Sequence, residues 1–436
     1  MSYDKCFHVS IADMTKRMDV EFFQPTLVNV ESLVSKKSVH TLSDYITSMN
    51  GGATPKLSDT SAYDLSSGAV PFVRVQNLSK YGVLELENCK LISKEVHLNE
   101  LKRSQVHEGD LLVKITGVGR MAVASVAPKG FEGNINQHVV LIKTKSKEIS
   151  EYLCCYLNLD VIESIAKRHS TGGVRPALDY TSLRNIPIVD NLDFSELHQA
   201  IRNYFETEEK CKMIETELKS YRQKLFNFRL GKEKTVCASF IQSYFEMMGT
   251  QWTPSNFLYH NISKSNERTF ELSDICSLYK GKPITEHNVL NGKYEVIGGG
   301  KTSPYFSSEY NTEAGSITVS SSGAYAGYVW FHEKPIFASD CIVIRSKDET
   351  TFLTRFVFEV LKSYQQQIYS LQRGAGQPHV YMSDLLHLRI PLMSIVKQKE
   401  IIDYVNTMNF RMSMLRNNAL EKYETACNHL NNDLLQ

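Results

Sequence analysis

No run of about 18 apolar residues occurs in the 436 residues, which argues against a membrane-spanning helix. Neither sign of charge is in excess, because 49 Lys and Arg stand against 48 Asp and Glu for a net of +1. The chain as a whole does not advertise a polyanion partner, although a neutral total can hide a basic face. No Cys-x-x-Cys occurs among nine scattered cysteines, and no His lies at ligand spacing beside them. Zinc and disulfide frameworks are therefore unsupported, and the thiols read as reduced and cytoplasmic. No partnered His stands out that would make any of them a nucleophile. The start, Met1 to His8, lacks the charged-then-apolar pattern of a secretory leader. What is present is ordinary globular composition, 42% hydrophobic and 22% charged, which excludes wholesale disorder. Two Trp contrast with 22 Tyr and 20 Phe, a heavy aromatic load.

Catalytic motifs are missing too. Gly117-Val118-Gly119-Arg120-Met121-Ala122 fits a dinucleotide fingerprint, but the next residues, Val123 to Val126, read as strand and not helix. Gly298-Gly299-Gly300-Lys301-Thr302 ends like a phosphate loop, yet Glu295 stands where the leading Gly is required and Pro304 spoils the helix. Pro-Pro is absent, which removes the Asn/Asp-Pro-Pro-aromatic methyltransferase motif. No Asp…Glu-x-Lys nuclease core, Gly-x-Ser-x-Gly elbow or His-Glu-x-x-His was identified. The pattern favours recognition over catalysis.

The informative feature is a repeat. Leu42-Ser43-Asp44-Tyr45-Ile46 returns as Leu272-Ser273-Asp274-Ile275-Cys276. Gly109-Asp110-Leu111-Leu112-Val113 with Gly117 returns as Gly315-Ser316-Ile317-Thr318-Val319 with Gly323. Thr171-Gly172-Gly173-Val174-Arg175-Pro176 answers Arg373-Gly374-Ala375-Gly376-Gln377-Pro378. Leu183 to Pro187 answers Leu385 to Pro391, and Ile201 to Phe205 answers Ile401 to Val405. The order of blocks is the same in both halves.

Each half predicts an α+β domain. β-branched runs at 70–75, 110–115, 138–143, 316–320 and 341–345 read as antiparallel strands. Helical stretches follow over Ser150–Arg168 and Thr351–Leu371, and a Gly-rich loop and an Ile-Pro strand close each half. Long helices over Ser195–Arg229 and Val396–Leu430, free of Gly and Pro, carry apolar stripes at three- and four-residue steps. Their length suits helix-on-helix packing, with Ile201, Tyr204, Leu218 and Leu225 facing Ile401, Tyr404, Met408 and Leu415.

This layout resembles the DNA-specificity subunit of type I restriction-modification systems and related multisubunit systems. Gly51-Gly52-Ala53-Thr54-Pro55, Val70 to Leu78, the Gly109 and Thr171 blocks, Tyr294 to Gly300 and Ser320 to Gly323 carry the likeness together with both helices. The resemblance covers nearly the whole chain. It implies two target-recognition domains, at 1–190 (with a lead-in, 1–40, of unassigned role) and 233–392. Spacer helices at 191–232 and 393–436 would pair as an antiparallel coiled coil. The implied function is non-catalytic: each domain reads half of an asymmetric, interrupted site in double-stranded DNA. Two modification methyltransferase subunits would dock on the helices and bring S-adenosylmethionine, so this chain needs no cofactor or metal. Motor-nuclease restriction subunits join in type I systems. The setting is cytoplasmic and away from membranes.

Candidate DNA-contacting residues in the first half are Arg74, Gln76, Asn77, Lys114, Arg120, Asn136, Gln137 and Arg175. Those in the second are Lys280, Lys282, Lys301, Ser321, Ser322, Tyr325, Arg373 and Gln377. Cations suit phosphates, and Arg, Asn and Gln suit base edges. The rival reading is a β-rich carbohydrate- or surface-binding module, which explains the aromatics but not the two striped helices.

Overall fold

Short β-branched runs become strands in both halves, and their order is the same. The computed structural model describes residues 7–9, 17, 19–55, 60–63, 68–226, 268–284, 292–300, 303, 305–374 and 376–436. The chain divides into two compact units, the first from residues 1–207 with 416–436 and the second from 208–415.

In the first unit, helix α1 (Pro25–Lys37) precedes eight main strands: β1 (Ile46–Gly51), β2 (Ala69–Val73), β3 (Lys90–Ser93), β4 (Gln105–His107), β5 (Leu111–Lys114), β6 (Ala124–Val126), β7 (Glu132–Ile135) and β8 (Val139–Thr144). They form two four-stranded sheets, ordered β1-β8-β5-β6 and β3-β2-β7-β4. Leu111, Leu112 and Val113 are buried, as are Val139 to Ile142, because the central strands are covered on both faces. The expectation of antiparallel strands needs one correction: β2 pairs antiparallel with β3 but parallel with β7.

The expected helix over Ser150–Arg168 is two helices, α2 (Lys147–Leu157) and α3 (Asp160–His169). Asn158 explains the break. Its side chain donates to the Ala124 carbonyl (2.8 Å) and accepts from the Ala124 N–H (3.1 Å), latching the chain to β6. The lead-in, unassigned from sequence, is clasped to α3. Arg168 and His169 (2.9 Å) both meet Glu31, and Arg17 donates to the carbonyls of His169 (2.9 Å) and Ser170 (2.8 Å). Burial opposes the charge on Glu31, but His169 and Arg168 outweigh it and hold its pKa below the ordinary value. Beyond Pro187, helix α4 (Ser195–Leu225) begins.

The second unit repeats the plan. Strands β9 (Cys276–Lys280), β10 (Tyr294–Ile297), β11 (Phe306–Ser307), β12 (Ser316–Ser320), β13 (Val329–His332), β14 (Phe337–Ala338) and β15 (Cys341–Ser346) form sheets ordered β9-β15-β12-β13 and β11-β10-β14. The parallel pair recurs as β10 with β14. The helical stretch again divides, into α5 (Thr354–Ser363) and Gln365–Ser370. Gln365 plays the part of Asn158, accepting from Val329 N–H (3.0 Å) and donating to the Gly327 carbonyl (2.8 Å). Glu359 of α5 is fully buried and accepts from Arg222 at 2.8 Å.

Helix α6 (Ile395–Leu435) completes the chain's regular structure. Helices α4 and α6 contain 31 and 41 residues, so they extend about 45 and 60 Å at 1.5 Å per residue. They pair antiparallel. In the second unit Cys211, Ile214 and Leu218 pack with Val405 and Met412, flanked by Tyr404, Met408 and Leu415, and the Tyr404 hydroxyl donates to Glu217 (2.8 Å). In the first unit His429 lies 3.0 Å from Glu196. Four of the eight residues expected along the seam also serve the domain cores. Leu225 and Ile401 join the core of the second unit, Ile201 packs on the core of the first, and Tyr204 stacks on Tyr81 at 4.2 Å. A 31-residue stripe is wide enough to serve a partner helix and a β domain at once. Met213, Phe410 and Met414 remain exposed in the second unit. Among the described residues no helix is long and apolar enough to cross a membrane.

Candidate nucleic-acid interface

The parallel strand pair ends the same way in each unit and places loop residues side by side. In the first unit Val73 pairs with Ile135, and Asn136 N–H donates to the Val73 carbonyl at 3.0 Å. Arg74 and Asn136 therefore leave the sheet as neighbours. Arg74 N–H is held by the Asn77 side chain (2.9 Å), whose amide donates to the Glu85 carbonyl (2.9 Å). Asn77, 3% exposed, is occupied with fixing this turn, so it supports a reader and is not offered as one. Asn136 is similarly turned inward, accepting from His138 N–H at 3.2 Å. Gln137 and Gln76 are exposed, and Gln137 accepts from Thr54.

Two cations expected at DNA are spent internally. Lys114 is buried and donates to the Val118 carbonyl (2.8 Å), bracing the Gly117–Gly119 turn. Burial lowers its pKa, with Glu163 acting in the opposite direction. Arg120 pairs with Asp160 and donates to the Asn158 carbonyl. Arg175, by contrast, is exposed on the tip of a loop.

That loop is clasped by the same hydrogen bonds in both units. Gly117 N–H donates to the Pro176 carbonyl (3.0 Å), as Gly323 N–H does to Pro378 (3.0 Å). Leu178 N–H donates to the Ile115 carbonyl (2.8 Å), as Val380 N–H does to Ser321 (3.0 Å). Gly172 and Gly374 both adopt positive φ, 97° and 107°, which a side chain rarely permits. Gln377 thus occupies the place of Arg175, Ser321 that of Ile115 and His379 that of Ala177. The scaffold is constant and the side chains on it differ.

In the second unit these loops border a cleft of ≈ 400 Å³ lined by Lys280, Ser321, Asp340, His379 and Tyr381 among others. The His379 and Tyr381 rings stack with centroids 6.2 Å apart. Ser322, 7% exposed, donates to Asp340, and Arg373 pairs with Asp384. Lys280, Lys282, Tyr325 and Gln377 are exposed, and Lys301 lies outside the described residues. Sequence reasoning missed Asp340, His379 and Tyr381. Stepping one residue beyond the matched Pro176 and Pro378 would have found His379.

One contact corrects the sequence reading of the cysteines. Cys155 Sγ stands 3.2 Å from His198 Nε2, so a thiol does have an imidazole partner. Burial pushes this thiol up to about 12, with Glu151 adding to the shift, so it is a protonated core group and not a nucleophile. No cluster of His, Cys, Asp or Glu that could hold a metal occurs among the described residues.

Residues 264–421 match the family model described as type I restriction modification DNA specificity domain. A putative type I specificity subunit of Mycoplasma pneumoniae is 29% identical over 157 residues, 35% of this chain and 41% of the relative. A second, from Mycoplasma genitalium, is 29% identical over 170 residues, 38% of this chain and 43% of the relative. The matched stretches thus span about two fifths of the length of these curated relatives. A crystal structure of a type I restriction-modification S subunit from M. genitalium covers 91% of this chain and 95% of its own, at 14% identity and a TM-score of 0.39.

Proposed function

Because the chain belongs to the type I restriction-modification specificity family, we propose that it reads an asymmetric bipartite site in double-stranded DNA and positions methyltransferase subunits there. The observation that carries this reading is the pair of identical loop clasps bearing different side chains, Arg175 opposite Gln377 and Ala177 opposite His379. One scaffold used twice with different contact residues is what reading two unlike half-sites requires. The β-rich parts of 1–190 and 233–392 are the readers on this view, and 191–232 and 393–436 are spacers. S-adenosylmethionine belongs to the partner subunits, and motor-nuclease subunits complete a restriction complex. Arg74, Gln76, Gln137 and Arg175 in one unit, and Lys280, Lys282, Lys301, Tyr325 and Gln377 in the other, are the contacts we put forward.

The test is methylation-site mapping in cells carrying this chain with its neighbouring methyltransferase subunit. A two-part motif with an unread spacer is expected. Exchanging residues 41–187 for those of a relative should rewrite one half of the motif only. Purified complex should lose affinity steeply with salt as phosphate contacts release counterions. Binding to glycans with none to DNA would favour the carbohydrate-module reading.

A further inference from the structure

Arginines in the first unit divide into two kinds. Arg120 is committed to Asp160 and Arg168 to Glu31, so their charge is used within the protein. Arg74 is committed to nothing of the kind. No carboxylate pairs with it among the described residues; its Nε is buried without an acceptor, as is that of Arg120, so the missing ion pair is what sets Arg74 apart. Its guanidinium charge is therefore left for an acceptor supplied from outside. Its root is rigid: the backbone of Arg74 follows the parallel strand pair directly and is pinned by Asn77, which is itself buried and fully engaged. A guanidinium held this way loses little freedom on binding and presents a planar fork.

Two acceptors fit that fork, a phosphate and the O6/N7 edge of guanine. The repeat decides between them. The corresponding strand end in the second unit is Ile297, held by Ser339 N–H at 2.8 Å as Val73 is held by Asn136, and the residue after it is Gly298. A phosphate anchor needed to seat the same scaffold on the same DNA backbone would be kept in both copies. A base reader would differ between half-sites, as this position does. Resting on the DNA-recognition reading above, we propose that Arg74 reads one guanine in the half-site of the first unit, and that Gly298 leaves the second unit without a reader at that position.

The experiment is methylation-site mapping of the full chain with its methyltransferase partner, comparing wild type with Arg74→Ala, Arg74→Lys and Arg74→Gln. Arg74→Ala should relax a guanine at one position of one half-site, with about ten- to hundred-fold loss of discrimination there and the other half-site unchanged. Arg74→Gln should move preference at that position toward adenine, which Gln recognises through N6 and N7. An unchanged motif in Arg74→Ala, with a normal wild-type motif, overturns the assignment and leaves the DNA-recognition reading standing. A uniform loss of methylation by a folded Arg74→Ala protein overturns it also, in favour of a phosphate contact. If Arg74→Ala fails to fold by thermal melting, Arg74→Lys decides: it keeps the charge but loses the fork, so guanine selectivity should still fall. A wild-type chain that directs no site-specific methylation removes the DNA reading itself, and the Arg74 assignment falls with it.

Discussion

Arg222 of α4 donates to Glu359 of α5 at 2.8 Å, and the glutamate is wholly shielded from solvent. Arg355 stands 3.5 Å from the other carboxylate oxygen, near enough for charge attraction but without hydrogen-bond geometry. Removing one member of such a pair strands a buried charge. Arg222→Met should cost the second unit about 3–5 kcal/mol, read by urea unfolding. The double variant Arg222→Met with Glu359→Met should regain most of that loss. A double variant no more stable than the single would show that the pair is not the source of the effect.

Acid should release α1. The folded-state pKa of Glu31 lies below the ordinary 4.5, so its contribution to stability is fully present above that value. It is lost as pH falls below 4.5 toward the lowered value, where the carboxylate takes up a proton. Hydrogen exchange in Pro25–Lys37 should therefore accelerate in that window before the sheets open. Glu31→Gln should show fast exchange already at neutral pH and no further acid step there.

The long helices invite a length test. Inserting four residues after Thr207 and four after Leu415 lies between the contact sets of the two units, so the pairs Glu196–His429 and Glu217–Tyr404 keep their partners. Each helix gains about 6 Å. The methylated motif should gain one or two base pairs of unread spacer, with both half-sites unchanged. A motif of unaltered spacing from an active complex would mean that the helices serve for docking alone.

Exposed apolar side chains on the paired helices offer a test of partner docking. Phe410 is 67% exposed and Met414 53%, one helical turn apart on α6. Phe410→Lys with Met414→Lys should weaken methyltransferase binding at least about tenfold, measured by calorimetry, while the melting temperature stays close to wild type. Undiminished binding would place the partner elsewhere.

The repeat was legible because Gly and Pro sit at matched intervals, and Gly117 with Pro176 forms the same bond as Gly323 with Pro378. The long helices were legible from uninterrupted stripes. Neighbours distant in sequence were not. Nothing local tells that Asn77 serves the backbone of Glu85, that Asn158 ends α2 by gripping β6, or that Cys155 meets His198. Those outcomes depend on which groups lose water together when sheet, helix and loop meet, and single-chain periodicity does not carry that information. The candidate interface was accordingly half-readable: the loops could be placed, while the inward commitment of Lys114, Arg120 and Asn136 could not.

The first unit is finished by residues 416–436, whose Tyr423, Ala426, Cys427, Leu430 and Leu434 complete its core. A ribosome must make all of residues 208–415 before supplying them, a wait of roughly 10–40 s at about 5–20 residues per second. Through that interval Leu197 and Ala200 lack the C-terminal side chains that share their core in the folded protein. The first unit's maturation is thus tied to translation of the second unit, so a nascent chain that stalls partway should leave an unfinished first unit exposed to proteases.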